Sequence, residues 1–210
     1  MNTLWTFGDS FTEGYNTNYE WAKLYIDWKG YTPKVYPEII SEKLGLKLNN
    51  LGIGGSDNYS IFQSFCDISH KIKSDDFVIF GWSSPLRFRL VNKWNRWKTI
   101  FSNHTNNHID IDGISINTLN EILINRDNLK YVEEVNSWIS LIDNFLVNIK
   151  HVHWALDNGI YSYRITNLET IEIETNTEIP DGHFSENGQF ELSQILITKL
   201  MNHQPHVKKI

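Results

Sequence analysis

Residues that could carry out acyl transfer stand at four places where predicted strands end or a predicted helix begins. Ser10 follows a first short apolar run, the loop Gly52-Ile53-Gly54-Gly55 follows a second, and Ser83 follows a third. Asp181 and His183 come just before the last predicted helix. Catalysis by a serine needs a hydroxyl on a tight turn, an imidazole base, a carboxylate that holds the imidazole and N–H donors for the oxyanion. The four places together predict nucleophilic serine chemistry.

Each of these residues suits one role in such a site. Ser10 opens a predicted helix, so its Oγ can protrude from the turn and its own N–H can donate to an oxyanion. Gly55 has no Cβ, so its backbone can approach a substrate oxygen closely. His183 is the candidate base, and Asp181 is the candidate partner for its Nδ1. The chain order serine, aspartate, histidine is permitted, because geometry and not order defines a triad.

The elements that must position these residues alternate between strands and helices. Strands are predicted over 4–7, 47–51, 76–80, 151–156 and 170–174, and helices over 37–44, 58–72, 131–149 and 186–201. This alternation predicts a three-layer α/β sandwich with a central, mainly parallel sheet. Ligands of such sheets bind at the carboxyl ends of the strands. The chain is predicted to be one domain over 1–210, with irregular insertions near 14–36 and 85–128.

Composition narrows the possible classes of protein. The 210 residues carry a net charge of -6 and include no basic tract, which argues against nucleic-acid binding. One cysteine excludes an intrachain disulfide. No apolar run approaches the roughly 20 residues of a membrane span, and the first residues lack the features of a signal peptide. We therefore expect a cytoplasmic or otherwise soluble protein without a membrane partner, and the scarcity of alanine suggests an AT-rich viral or bacterial source.

The candidate residues resemble the blocks of the SGNH/GDSL serine hydrolases. Gly8-Asp9-Ser10 matches the first block, with Phe11 in place of the usual leucine, and residues 50–55 match the second, Asn-x-Gly-x-x-Gly. Asp181-Gly182-His183 approximates the last block, Asp-x-x-His. The resemblance implies an SGNH-hydrolase or flavodoxin-like fold. It also implies an esterase or deacylase that hydrolyses a small acyl ester or an O-acetyl group on a carbohydrate through an acyl-serine, with no cofactor and no metal.

Two departures from these blocks leave the activity open. In the third block, Gly-x-Asn-Asp, an asparagine donates to the oxyanion, whereas here Ser83 stands at that position with a shorter side chain. We expect Ser10, Gly55 and Ser83 to supply the oxyanion donors. Asp181 stands one residue closer to His183 than the family spacing, so another acceptor could orient the base. The alternative function is therefore a binding protein of the same fold with weakened or lost catalysis.

Other side chains near the strand ends have less specific interpretations. Arg87 and Arg89 follow the third strand, and Arg87 is expected to bind an anionic group of the substrate. A solvated structural role is the alternative. His151 and His153 alternate on a predicted strand, but no carboxylate or cysteine accompanies them at ligand spacing, so no metal site is predicted. The oligomeric state is left open.

Overall fold

A computed structural model describes most of the chain, namely residues 1–84, 87–91, 97–100, 116–125, 128–156, 169–171 and 183–202. Within these ranges the strands are β1 (Thr3–Gly8), β2 (Lys47–Gly52), β3 (Phe77–Trp82), β4 (Phe88–Val91), β5 (Trp97–Ile100), β6 (Lys150–Leu156) and β7 (Glu169–Ile171). The helices are α1 (Ser10–Glu13), α2 (Glu20–Lys29), α3 (Tyr36–Leu44), α4 (Asn58–Ile68), α5 (Ile116–Asn125), α6 (Asn128–Phe145) and α7 (Glu186–Asn202).

The described strands form one parallel sheet and one separate hairpin. The sheet has the order β2-β1-β3-β6-β7 with every neighbouring pair parallel, whereas β4 and β5 pair antiparallel with each other. The predicted parallel architecture is therefore confirmed. The chain leaves β1 towards β2 on one side and leaves β3 towards β6 on the other, so β1 and β3 lie at the topological switch point. In doubly wound sheets the crevice that binds ligands opens at the carboxyl ends of the strands at this point.

The sheet is covered by helices on both faces. Trp5 and Phe7 of β1 point to one face and Leu4 points to the other, as the two-residue period of a strand requires. On the first face, α4 and α6 contribute Ile61, Phe65, Val132, Val135, Ile139 and Ile142. On the second face, α3 and α7 contribute Tyr36, Ile40, Leu192, Leu196 and Leu200. The predicted three layers are thus present, and burial on both faces explains why the third strand is a continuous apolar run.

One predicted strand and one predicted helix have different boundaries in the structure. The third strand was expected over 76–80 but runs from Phe77 to Trp82. Asp76 precedes it because the Asp76 carboxylate accepts hydrogen bonds from the N–H groups of Thr3 at 2.8 Å and Lys73 at 3.0 Å. The helix expected over 58–72 ends at Ile68 and continues as a single 3₁₀ turn.

The predicted insertions contain regular elements. The prediction that 14–36 is irregular is wrong, because α2 lies within it and ends at Gly30 in a left-handed conformation. The exposed Leu24 and Trp28 of α2 weaken its helical hydrophobic pattern. The described parts of 85–128 form the β4–β5 hairpin and α5. The single-domain boundary of 1–210 stays a prediction. No helix in the described ranges is both long and apolar enough to cross a membrane.

Candidate active site

Ser10 and His183 meet at the switch point. Ser10 is the first residue of α1, directly beyond β1, and the Asp9 carboxylate caps this helix by accepting the Phe11 N–H at 3.1 Å. His183 lies just before α7, and its Nε2 is 2.8 Å from Ser10 Oγ. Both side chains are partly buried. The contact is a hydrogen bond of the length that proton transfer from a serine to an imidazole requires.

Aromatic side chains hold His183 in place. The Phe11 ring stacks on the imidazole, with ring centroids 4.8 Å apart and planes 27° from parallel. Phe184 is fully buried and also contacts Phe11, with centroids 5.0 Å apart. Tyr15 Oη–H donates to the Phe184 carbonyl at 3.4 Å. The residue that departs from the family leucine therefore supports the histidine. The sequence did not predict this role. The signal that was available is that a phenylalanine directly follows each of the two residues, Phe11 after Ser10 and Phe184 after His183.

Asp9 is the centre of a buried polar network. Its Oδ2 accepts the Ser83 hydroxyl at 2.9 Å and Arg87 Nη1–H at 2.6 Å. The Ser83 hydroxyl has one proton, and in this geometry it donates that proton to Asp9, so its expected role as an oxyanion donor stays a prediction. Arg87 was expected to bind a substrate anion; the structure pairs it with Asp9, and the binding of an anion stays a prediction. The Arg87 side chain is 16% exposed and the Asp9 side chain 7%.

The glycine-rich loop packs tightly on α1. A Cβ on Gly52 would lie 2.5 Å from the backbone nitrogen of Glu13, so no other residue fits there without a shift. Gly54 N–H donates to the Glu13 carboxylate at 2.8 Å. Gly55 has φ +77°, a conformation that favours glycine. Among the described residues, no hydrogen bond uses the backbone N–H of Ser10 or of Gly55.

Comparisons with known proteins identify the architecture. No family model matches the sequence, and no curated protein matches it. A solved carbohydrate esterase, described as having an active site with divergent catalytic and non-catalytic binding functions, is similar with a TM-score of 0.53 and 13% identity over 97% of this chain and 69% of that one. An acetyl xylan esterase from the rumen bacterium Butyrivibrio proteoclasticus is similar with a TM-score of 0.51 and 14% identity, over 95% of this chain and 64% of that one.

The chain has the SGNH-hydrolase fold. A lipolytic protein of the G-D-S-L family from Desulfitobacterium hafniense DCB-2 also aligns, over 95% of this chain and 99% of that one, with a TM-score of 0.47 and 12% identity. Identities this low concern the fold alone, so the chemistry of this chain has to be argued from its own residues.

Within the SGNH fold, described residues from all four predicted places converge on one rim. Ser10 follows β1, Gly55 follows β2 and Ser83 follows β3, as the sequence predicts. His183 reaches the same rim from the segment before α7. Asp181 lies outside the described residues, so its part in orienting the histidine stays a prediction.

A second cluster of ionisable groups joins α6 to β6. Asp143 Oδ1 lies 3.0 Å from Nε2 of both His151 and His153. Sequence spacing did not reveal this carboxylate, because it comes from the preceding helix. These residue types can bind metals, and their candidate ligand atoms lie within 4.8 Å of one another.

The tautomer of His153 makes it a poor metal ligand. Trp82 Nε1–H is a donor only, and it donates to His153 Nδ1 at 3.0 Å. Burial lowers the pKa of His153 and favours its neutral form. Neutral His153 then carries its proton on Nε2 and donates it to Asp143. A protonated nitrogen has no lone pair for a metal, so the described geometry is that of a hydrogen-bonded structural cluster.

Proposed function

We propose that this protein is a serine esterase of the SGNH type that removes a small acyl group from an ester through an acyl-serine intermediate. The observation that carries the proposal is the 2.8 Å contact between Ser10 Oγ and His183 Nε2 at the switch point of the sheet. Two structures that share the fold are a carbohydrate esterase and an acetyl xylan esterase. Their names support an O-acetyl group on a carbohydrate as the substrate class.

In the acylation step, His183 Nε2 takes the proton of the Ser10 hydroxyl while Oγ attacks the ester carbonyl. The carbonyl oxygen becomes an oxyanion, and we propose that the N–H groups of Ser10 and Gly55 donate to it. The tetrahedral intermediate collapses, the bond to the alcohol breaks, and His183 gives its proton to the departing oxygen. The acyl group is left on Ser10.

In the deacylation step, His183 accepts a proton from a water that attacks the acyl-serine carbonyl. The second tetrahedral intermediate uses the same donors, and its collapse returns the proton to Ser10 Oγ and releases the acid. We propose that Asp181 orients His183 and stabilises its imidazolium form during both steps. Ser83 supplies a third oxyanion donor in this scheme only if its hydroxyl leaves Asp9. Arg87 likewise binds a substrate anion only in addition to its pairing with Asp9.

Labelling with a fluorophosphonate probe tests the nucleophile. We expect the probe to modify wild-type protein at Ser10, as located by peptide mass spectrometry, and to leave Ser10→Ala unlabelled. Hydrolysis of p-nitrophenyl acetate by Ser10→Ala should fall by about 10³-fold or more, because the nucleophile is gone. Ser137→Ala is the matched control, since its hydroxyl is exposed on α6 and bonds the Glu133 carbonyl. Unchanged labelling or turnover in Ser10→Ala would contradict the proposal.

The same assay shows whether Asp181 or another acceptor orients His183. It also distinguishes the esterase from the binding protein. His183→Ala should lose turnover about as severely as Ser10→Ala. Asp181→Asn should lower kcat by up to about 10⁴-fold if the aspartate holds the imidazole tautomer. A mild effect of Asp181→Asn beside a severe effect of His183→Ala would assign that task to another acceptor. Wild-type protein that is neither labelled nor active would leave the binding-protein alternative.

A further inference from the structure

Arg87 connects the two loops that carry the proposed oxyanion donors. Its Nη1 lies 2.6 Å from Asp9 Oδ2 and 3.3 Å from the Ser56 carbonyl oxygen. Asp9 immediately precedes Ser10, and Ser56 immediately follows Gly55. One guanidinium nitrogen therefore bonds to the neighbours of both backbone donors.

The end of the third strand, β3, is also hydrogen-bonded to Asp9, through Ser83. The Asn58 side chain is fully buried; it accepts the Ser83 N–H at 2.7 Å and donates to the Ser83 carbonyl at 3.0 Å. Ser83 in turn donates its hydroxyl proton to Asp9. Asp9 is thus held from the β3 side by a neutral hydrogen bond and from the Gly55 side by a cation.

The negative charge of the buried Asp9 carboxylate requires a positively charged partner, which Arg87 supplies. Asp9 is 5% exposed, and a buried carboxylate is costly unless it is paired. It also adjoins Ser10, where a second negative charge develops in the transition state. An unpaired Asp9 carboxylate would repel that charge, and repulsion is strong where water is excluded. Arg87 neutralises Asp9 before the reaction begins.

We propose that Arg87 is the positioning residue of the oxyanion hole. It ties the Ser10 loop to the Gly55 loop and cancels the charge of Asp9, which compensates for the absence of asparagine from the third block. It acts through Asp9 and the Ser56 backbone and not by contact with the substrate. This role rests on the proposed esterase function and adds a residue that the SGNH blocks do not contain.

The first test removes the guanidinium of Arg87 and compares this variant with one that lacks the guanidinium of Arg89. Arg87→Met should lower kcat for p-nitrophenyl acetate by about 10²-fold, since misplacing reacting groups by a small distance has effects of that size. KM should change by less than about threefold, because the ground-state ester is not bound by this residue. Arg89→Met is the control: Arg89 lies 3.8 Å from Asp57, whose carboxylate caps α4, and it covers the Tyr59 ring. It should retain wild-type kcat.

Arg87→Lys keeps the proposal testable if Arg87→Met fails to fold. A lysine keeps a positive charge near Asp9 but lacks the planar fork that a guanidinium offers to several acceptors. We expect the thermal midpoint to stay near that of the wild type while kcat falls by about tenfold. Wild-type kcat in Arg87→Lys would overturn the bridging between the two loops.

The second test asks whether Arg87 acts through the charge of Asp9. Asp9→Asn removes the charge and keeps an oxygen that can cap α1. Added to Arg87→Met, it should raise kcat by about tenfold over Arg87→Met alone, because no uncompensated carboxylate then opposes the oxyanion. Equal kcat in the single and double variants would overturn the electrostatic role. If wild-type protein lacks turnover, the proposed function fails as well, whereas active wild type with fully active Arg87→Met overturns the inference alone.

Discussion

Asp9 uses its two carboxylate oxygens for different tasks. Oδ1 caps α1 and so fixes the first turn that carries Ser10, while Oδ2 receives Ser83 and Arg87. In this arrangement a serine hydroxyl stands at the position where the SGNH/GDSL third block has an asparagine. Ser83 is short enough to reach Asp9 from the end of β3, and the arginine occupies the same carboxylate oxygen from the other side.

Replacing Ser83 by alanine measures what its hydroxyl does. In the described geometry Ser83→Ala removes one hydrogen bond to Asp9 and leaves the ion pair with Arg87, so kcat should fall by less than about tenfold. Loss of a true oxyanion donor costs about 10²–10³-fold in kcat. Steady-state hydrolysis of p-nitrophenyl acetate distinguishes the two sizes. A hundredfold loss with unchanged KM would show that the hydroxyl turns to the oxyanion during the reaction.

Phe11 is expected to act through the imidazole on which it stacks. Phe11→Ala should lower kcat by about tenfold, because His183 loses the ring that keeps Nε2 aimed at Ser10. Phe11→Leu introduces the leucine that is usual in the SGNH/GDSL block and should recover most of that loss. Phe190→Ala is the control, since Phe190 is 56% exposed on α7. Equal kinetics for Phe11→Ala and wild type would mean that the imidazole is held by other contacts.

At the scale of elements, Asp143 fastens α6 to β6. Burial alone would raise the pKa of Asp143, but hydrogen bonds from His151 and His153 lower it below its ordinary value of 3.8. Burial lowers the pKa of His153 from its ordinary value of 6.5. Both groups therefore bind protons more weakly in the folded state than in the unfolded state.

The stability of the fold should consequently fall on acidification. As the pH falls through 6.5, His153 becomes protonated in the unfolded chain but stays neutral in the folded chain. Below pH 3.8, Asp143 likewise becomes protonated in the unfolded chain before it does in the folded chain. Thermal midpoints measured by circular dichroism should decline from about pH 7 downward. Asp143→Asn should melt lower than wild type at neutral pH, and the gap should narrow as the pH falls towards 3.

An exposed carboxylate provides the control for this pH series. Asp75 is exposed before β3 and accepts a hydrogen bond from the Ser74 hydroxyl at 3.3 Å. Asp75→Asn should follow the wild-type midpoints at every pH. A constant gap between wild type and Asp143→Asn down to pH 3 would contradict the assigned lowering of the pKa of Asp143.

At the scale of the whole molecule, two helical layers depend on one sheet. The apolar cluster with α4 and α6 and the cluster with α3 and α7 share β1 and β3, whose alternate residues supply both. Loss of the sheet would expose both clusters to water at once. The layers therefore cannot unfold independently without leaving one face of the sheet bare.

Calorimetry tests this coupling and the predicted single domain over 1–210. We expect one unfolding transition whose calorimetric and van't Hoff enthalpies agree, as for a cooperative domain. Two resolved transitions, or a calorimetric enthalpy well above the van't Hoff value, would show that part of the chain folds as a separate unit.

The sequence alone determined the parallel α/β architecture and the positions of Ser10, Gly55 and His183 relative to the strand and helix ends. These features follow from local patterns: the apolar period of strands and helices, and glycines where the chain turns. Helix α2 escaped this reasoning because its apolar residues are divided between a buried and an exposed face.

The tertiary structure alone decided which side-chain atoms meet. Arg87 and Asp9 are 78 residues apart, and Ser83 and Asp9 are 74 apart, so no spacing in the sequence could pair them. Asp143 reaches the two histidines only because α6 packs beside β6. A hydrogen bond is decided by distances of a few tenths of an ångström, and such distances are set by the packing of the whole sheet and its helices, not by the residues next to each group in the chain.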